Sequence, residues 1–299
     1  MNGAHEIAMP RKLNLFAALF LLLASFAFLY RDVIAKLVRD WSTDDNYSHG
    51  FLIIPIALYF VWERRARLAA VLPRPSYFGL VVVLGSLGLL LAGVLGSELF
   101  VTRISMLGAV AGLVLFICGW EYLRILAFPI LFCLLMIPLP AIIFNQIAFP
   151  LQILASKFAE VTLTILQVPV LREGNVIILP NTSLEVADAC SGIRSLISLV
   201  TLGIVFGYFV DKRIWARAVI AVATIPVAIV ANGIRVAGTG LAARYYGQEA
   251  AQGFFHSFSG WIVFLAAFMM LFIIERLLHR IAPVPKAKAS AAPAEQPAA

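Results

Sequence analysis

The sequence predicts an all-α polytopic membrane protein with about eight transmembrane helices. Of its 299 residues, 62% are hydrophobic and 13% are charged, against roughly 45–50% and about 25% in soluble globular domains. The apolar residues also run in long segments, and a spanning helix needs about 20 of them. This composition all but excludes a cytosolic enzyme, a disordered protein and a soluble DNA-binding domain. The net charge of +7 mostly marks cytoplasmic loops in such a chain, so we expect no nucleic-acid partner.

Nine apolar runs are candidates for membrane helices. The first follows Arg11 and Lys12 and is long for a signal peptide, so we interpret it as a membrane helix. The second is short and spans only if its helix starts near Tyr47. The candidates are Leu13–Tyr30, Phe51–Trp62, Tyr77–Ser97, Ile104–Trp120, Leu123–Phe144, Ile147–Val168, Ile193–Val210, Arg217–Ala231 and Phe258–Ile274.

Basic residues indicate which loops are cytoplasmic. They fall in four groups, which precede the first candidate, follow the second, separate the seventh from the eighth, and follow the ninth. The positive-inside rule places all four in the cytoplasm, yet five candidates lie between the second and third groups. An odd number of crossings cannot begin and end on one side, so one candidate does not span, and both termini are cytoplasmic.

The candidate at 147–168 differs from the others because it carries a polar stripe. Polar residues at 145, 152, 156, 160 and 167 follow one helical face. We interpret this segment as an amphipathic or re-entrant helix. The alternative is a spanning helix whose polar stripe faces protein.

Two stretches interrupt the apolar pattern and are expected outside the cytoplasm, Arg31–Ser48 and Leu171–Asp188. The second is partly β-branched and carries Pro180-Asn181, which favours a short extended segment or hairpin at about 171–188. The sequence thus predicts a cytoplasmic tail at 1–12, a membrane domain at 13–281 and a disordered cytoplasmic tail at 282–299.

Three polar segments near helix ends are candidates for chemistry, because ionisable residues at membrane depth are costly. In the predicted topology all three lie at the outer face, although they come from different parts of the chain. This convergence is the main argument for an active site. The segments are Glu185–Arg194, Ala231–Arg235 and Gly253–Trp261.

Cys190 is the candidate nucleophile. It starts the seventh run, with Asp188 as a candidate helix cap, and a Cys at a helix N-terminus has more thiolate character. Arg194 lies four residues on and shares its face. The alternative is a buried, inert Cys. Cys118 and Cys133 lie inside long apolar runs, where a free Cys behaves as a small hydrophobe.

His256 and Arg235 are the candidate partners of the thiol. His256 precedes the ninth span and suits a general base that then protonates a leaving amine. Arg235 follows the eighth span and could stabilise an oxyanion. The alternatives are a His satisfied by solvent and an Arg that reaches lipid headgroups, which Arg103 fits better. His49, which is expected at the outer end of a span, is an equally good candidate for the base. The roles of Glu185, Asp188 and Asn232 also stay open.

These segments resemble the motifs of the exosortase/archaeosortase family. Tyr47-Ser-His-Gly-Phe51 is similar to the N-terminal signature of the exosortase A branch, and the likeness runs from about Asp45 to Arg276. Three motifs in the right order are far more specific than any one alone. The strings that resemble the Cys, Arg and His motifs are Leu184-Glu-Val-Ala-Asp-Ala-Cys-Ser-Gly-Ile-Arg-Ser195, Ala231-Asn-Gly-Ile-Arg-Val-Ala-Gly-Thr239 and Gly253-Phe-Phe-His-Ser-Phe-Ser-Gly-Trp261.

The resemblance implies an intramembrane cysteine protease or transpeptidase of the bacterial inner membrane, active at the periplasmic face. The family's catalytic residues fall on Cys190, Arg235 and His256. Arg194 lies within the matched Cys motif. The candidates for supporting or substrate-binding roles are Arg194, Asn232 and Asp188. The implied partners are membrane-anchored proteins with a C-terminal tail made of a Pro-Glu-Pro motif, a transmembrane helix and a basic end, in exopolysaccharide or biofilm-matrix production. Thiol chemistry of this kind needs no metal or organic cofactor, so none is expected.

Two other functions fit the residues without the motif match. A transporter or flippase subunit for exopolysaccharide would line a pathway with polar groups, so Cys190→Ser would keep function. A membrane glycosyl- or acyltransferase acting on a lipid carrier would depend on Glu185 and Asp188 instead. The residues do not choose between transfer and hydrolysis, and they define neither the acceptor, the scissile bond nor the oligomeric state.

Overall fold

The protein is built almost entirely of α-helices, which confirms the predicted fold class. The computed structural model describes residues 11–180, 182–186, 193–247 and 254–282. The helices are α1 (Arg11–Leu29), α2 (Arg31–Thr43), α3 (Gly50–Glu63), α4 (Arg65–Ala69), α5 (Phe78–Leu95), α6 (Leu99–Cys118), α7 (Trp120–Phe132), α8 (Ala141–Ile165), α9 (Ile193–Val210), α10 (Ile214–Tyr246) and α11 (Phe254–Ile281), with a 3-10 helix at Cys133–Met136 and strands β1 (Leu171–Glu173), β2 (Val176–Leu179) and β3 (Thr182–Glu185).

The chain forms two compact units, a first unit at Met1–Gln146 and a second at Ile147–Ala299. The tails predicted at 1–12 and 282–299 lie almost wholly outside the described residues. Their cytoplasmic location therefore stays a prediction.

Six of the described helices are long and apolar enough to cross a bilayer, against about eight spans predicted. They are α5, α6, α8, α9, α10 and the Gly260–Ile281 part of α11. The pair α1–α2 is bent by 62° and would count as one broken span. Helix α3 is apolar but has only 14 residues, fewer than the ~20 that a perpendicular span needs.

The run Leu123–Phe144 is not the single helix that its hydropathy predicts. Helix α7 ends at Phe132, tightens into the 3-10 helix, and gives way to extended chain before α8 begins at Ala141. Pro138 and Pro140 explain the break, since a proline lacks the backbone N–H and disfavours helical backbone at the preceding residue. The expectation of one continuous helix here is therefore wrong.

The polar stretch Arg31–Ser48 contains an amphipathic helix. In α2, the residues buried in the first unit are Val33, Leu37 and Trp41, which repeat every four positions along one face. The Trp41 indole N–H donates to the Met136 carbonyl at 2.8 Å. This bond ties α2 to the turn that follows α7.

A three-helix bundle, α9, α10 and α11, forms the centre of the second unit. Its core consists of Leu199, Val227, Ala228, Ala231, Ala267 and Leu271. Small residues allow close approach between helices in a membrane. Here Gly203 of α9 faces Thr224 of α10, and Gly207 faces the backbone of Arg217, so the two helices pack antiparallel with little separation.

A second core lies where the β-hairpins cover α8 and the end of α10. The three strands are antiparallel in the order β1-β2-β3, which confirms the extended segment predicted at 171–188 for its described part. The buried core residues are Ala155, Ala159, Leu163, Val168, Ile177, Leu179, Val186, Val236, Ala237 and Ala243. The last three come from the final turns of α10, and Val186 follows the end of β3 that leads toward Cys190.

The polar stripe of α8 faces this sheet. Ser156 Oγ donates to the Gly174 carbonyl at 3.0 Å, and the Arg172 Nε donates to Glu160 Oε2 at 2.7 Å. The Asn175 amide donates to Gln152 Oε1 at 3.4 Å. Three successive turns of α8 therefore bind the β1–β2 hairpin, and the stripe at positions 152, 156 and 160 contacts protein.

Candidate active site

The three motif segments are carried by the three packed helices of the second unit. Arg194 lies in the first turn of α9, Arg235 lies in α10, and the backbone of His256 lies in the first turn of α11. Both α9 and α11 pack against α10 through the bundle core. The structure therefore brings together the helices that the sequence analysis selected, at the end of the bundle where α9 and α11 begin.

The guanidinium of Arg235 lies beside Gly260 of α11. A Cβ atom added at Gly260 would stand 3.7 Å from Arg235 Nη2 and 3.8 Å from its Cζ. Gly260 follows His256 by four residues, which places both on one helical face, one turn apart. The cation of the Arg motif thus reaches the helix that carries the His motif. The side chain of His256 itself lies outside the described residues.

Arg235 is not at the foot of its helix, contrary to the sequence-based expectation. Helix α10 has 33 residues and continues from Arg235 to Tyr246. It does so because Val236, Ala237 and Ala243 pack into the core under the sheet. Arg235 still lies about 31 Å from the start of α10 at 1.5 Å per residue, close to the ~30 Å thickness of the hydrocarbon layer. The guanidinium can therefore sit at the membrane boundary although the helix extends beyond it.

The packing of α9 against α10 sets the relative levels of the polar residues. The pairs Gly203–Thr224 and Gly207–Arg217 define an antiparallel register. In that register Asn232, which is 3% exposed, lies level with Arg194. Arg235 lies just beyond Ile193, the first residue of α9. It is thus on the side from which the Cys motif enters the helix.

Cys190 and Asp188 lie outside the described residues, so their predicted roles stay predictions. The residues that flank them are described. Val186 is fully buried, and Ile193 is 1% exposed. Glu185 ends β3 with an exposed side chain. The segment that contains the candidate nucleophile therefore begins and ends at buried positions.

Asn175 contacts the chain that leads into this segment, and the motifs in the sequence do not point to it. The Val186 N–H donates to the Asn175 carbonyl at 2.9 Å, and the Asn175 side-chain amide donates back to the Val186 carbonyl at 3.3 Å. The Gly174-Asn175 pair in a short β-turn is a local signal that could have drawn attention to Asn175. Its link to Val186 depends on strand pairing and is not visible in the sequence.

His49 lies in the first unit and holds the chain that follows α7. Its Nε2 lies 3.1 Å from the Leu135 carbonyl oxygen, and burial lowers the pKa of His49. Nearby, the Tyr47 hydroxyl accepts the Leu139 N–H at 3.2 Å. Tyr47 and His49 of the N-terminal signature therefore both bind the backbone of the segment between α7 and α8.

Arg103 is buried, contrary to the expectation that it reaches lipid headgroups. Only 2% of it is exposed, and its Nη2 forms a short ion pair with Asp40 Oδ2 of α2. A local sequence pattern cannot reveal this pairing, because the two residues are 63 positions apart.

These features define a multi-pass helical membrane protein with a candidate site at one end of a three-helix bundle. Residues 41–273 match the family model described as transmembrane exosortase. The match covers more than half of the chain, and the protein therefore belongs to the transmembrane exosortase family, a family of cysteine-type sorting transpeptidases. No curated protein and no solved structure matches the chain.

Proposed function

We propose that the protein is an intramembrane cysteine transpeptidase or protease that processes proteins with a C-terminal Pro-Glu-Pro sorting tail. Its work would serve exopolysaccharide or biofilm-matrix production at the periplasmic face of a bacterial inner membrane. The observation that carries this proposal is the position of the Arg235 guanidinium beside Gly260, because it brings the Arg motif next to the helix of the His motif at the end of the bundle where α9 begins.

The reaction runs through a thioester. The thiolate of Cys190 attacks a carbonyl carbon near the Pro-Glu-Pro motif, which forms a C–S bond and moves the carbonyl electron pair onto oxygen. Arg235 stabilises that oxyanion. The C–N bond then breaks as His256 donates a proton to the departing amine. An amine, a hydroxyl or water then attacks the thioester while His256 takes up its proton. The second tetrahedral adduct collapses and expels the thiolate, which regenerates both Cys190 and the protonated His256.

Three further residues support this reaction in the proposal. Arg194 binds the carboxylate of the substrate Glu, since a guanidinium can donate two parallel hydrogen bonds to it. Asn232 lies buried three residues before Arg235 on α10 and supports its side chain. Asp188, which precedes α9, acts as a cap by accepting a backbone N–H near the thiolate. The proposed thioester reaction uses only side-chain and backbone groups of the protein.

The test is a blot of a tail-bearing substrate co-expressed with the enzyme at matched membrane levels. Wild type and a Cys118→Ala/Cys133→Ala control are expected to shift the substrate mass. Cys190→Ala, Arg235→Ala and His256→Ala are expected to abolish the shift. An unchanged shift with Cys190→Ala overturns the proposal. Retained function in Cys190→Ser would favour a polar pathway over a nucleophile.

A further inference from the structure

Asn175 holds the end of β3 from two directions. Its backbone carbonyl accepts the Val186 N–H at 2.9 Å, and its side-chain amide donates to the Val186 carbonyl at 3.3 Å. A residue held by one hydrogen bond can still rotate. Bonds to both the N–H and the C=O of Val186 hold the two peptide groups that flank it, and they therefore set the direction in which the chain continues. Val186 is fully buried, so water does not compete for these groups.

The turn that contains Asn175 is itself fastened to α8. Gly174 takes a left-handed φ of 63°, a conformation that favours glycine. Its carbonyl accepts the Ser156 hydroxyl at 3.0 Å, and the Asn175 amide also donates to Gln152 Oε1 at 3.4 Å. The turn therefore fixes the position of Val186 relative to α8.

The chain that leaves Val186 reaches Cys190 four residues later and enters α9 at Ile193. Ile193 is 1% exposed, so the residues at both ends of the segment, Val186 and Ile193, are buried among apolar side chains. A displacement of about 1 Å in a reacting group can cost about 10²-fold in rate. A change in the direction in which the chain leaves β3 would therefore change the position of Cys190 and lower the rate of the reaction.

We propose that Asn175 is a positioning residue for Cys190. It contacts Val186 and Gln152 and acts on the nucleophile only through the backbone. This inference rests on the proposed function, in which Cys190 is the nucleophile.

The sharpest variant is Asn175→Asp. It keeps the size of the side chain and the Val186 N–H bond, but it replaces the donor amide with an oxygen that faces the Val186 carbonyl. The matched control is Glu160→Gln, which weakens the ion pair with Arg172 on the same hairpin and leaves the Asn175 contacts in place. Should Asn175→Asp fail to accumulate, Asn175→Ala carries the test, because it removes the donor without adding a charge.

Two readouts separate positioning from a general loss of structure. The first is kcat and KM for processing of a purified tail substrate. The second is the rate of maleimide labelling of Cys190 against pH in a Cys118→Ala/Cys133→Ala background, where Cys190 is the single thiol because the chain has three cysteines. Thiolate stabilisation at a helix N-terminus fades within one turn, so a displaced thiol should label at higher pH.

For Asn175→Asp we expect kcat to fall by about ten- to a hundredfold, KM to stay within about twofold, and the labelling profile to move to higher pH. For Glu160→Gln we expect both readouts to match wild type. Unchanged kcat and labelling in Asn175→Asp overturn the inference, as does an equal loss in Glu160→Gln. If Cys190→Ala still processes substrate, the proposed function fails instead, and that result does not depend on Asn175.

Discussion

Arg235 and Gly260 face each other across the α10–α11 contact, with Arg235 Nη2 only 3.7 Å from the position of a Cβ atom on Gly260. This distance is ordinary van der Waals contact, so the site has room for one methyl group. We expect Gly260→Ala to keep substrate processing within about threefold of wild type. It should also raise the melting temperature, because Ala is favoured over Gly in a helix by about 1 kcal/mol.

A larger side chain at the same position should act differently. Gly260→Leu would occupy the space of the guanidinium and displace Arg235, with an expected loss of processing of at least tenfold, in line with removal of one oxyanion donor. Melting temperature and processing rate together check the series. Equal activity of the Ala and Leu variants would show that this contact is irrelevant to the site.

Apolar run length is a good guide to the class of fold because lipid forces any spanning segment to satisfy its backbone internally. It is a poor guide to where helices end. Helix α10 passes Arg235 because Val236 and Ala237 meet a core supplied by the hairpins. The break after Phe132 follows from prolines that a hydropathy average ignores.

The sequence motifs predict which helices carry the candidate site, but they do not predict the contacts of the motif residues. The three motifs lie on or beside three helices that the structure packs into one bundle. The partners of the motif residues depend on tertiary register instead. Asn175 reaches Val186 through strand pairing, and the contact of Arg235 with Gly260 depends on the crossing of two helices.

The buried ion pair between Arg103 and Asp40 predicts an asymmetric double-mutant cycle. Asp40→Asn leaves the Arg103 cation, whose side chain is 3% exposed, without its counter-charge. We expect a loss of about 3 kcal/mol, the low end for breaking a buried pair, because the Asp40 side chain is 33% exposed. Asp40→Asn/Arg103→Met should lose less than Asp40→Asn alone. Melting temperatures in detergent check the order, and an additive double variant contradicts it.

Burial of His49 predicts a pH dependence of the first unit. Burial lowers the pKa of His49 and outweighs the opposing bond to the Leu135 carbonyl, so the folded state binds fewer protons than the unfolded chain. Stability should therefore decline as pH falls below the unfolded value of about 6.5. His49→Gln keeps a donor for Leu135 and should reduce the slope of melting temperature between about pH 5 and pH 7. Equal slopes in the two proteins would exclude His49 as the titrating group.

The surroundings of the two ends of α8 predict whether this helix crosses the bilayer. At its start, Phe144 lies 6.4 Å from Tyr47 between ring centroids, beside the α2–α3 connection. The sequence predicts that α1 crosses the bilayer and that α3 crosses it together with the turn from Tyr47. The α2–α3 connection, which lies between the basic groups at Arg11 and Arg64, is therefore expected in the periplasm. At its end, α8 leads into the hairpins that precede α9, and α9 runs to the basic loop at Lys212.

This argument predicts that both ends of α8 lie in the periplasm and that the helix does not cross the bilayer, although its length would allow it. In a chain without native cysteines, Asn145→Cys and Gln167→Cys mark exposed positions at the two ends, and Arg67→Cys marks the cytoplasm. A membrane-impermeant maleimide added to intact spheroplasts should label the first two and spare the third. Labelling of only one end of α8 would make it a spanning helix, and the polar stripe that binds the hairpin would then run into the bilayer.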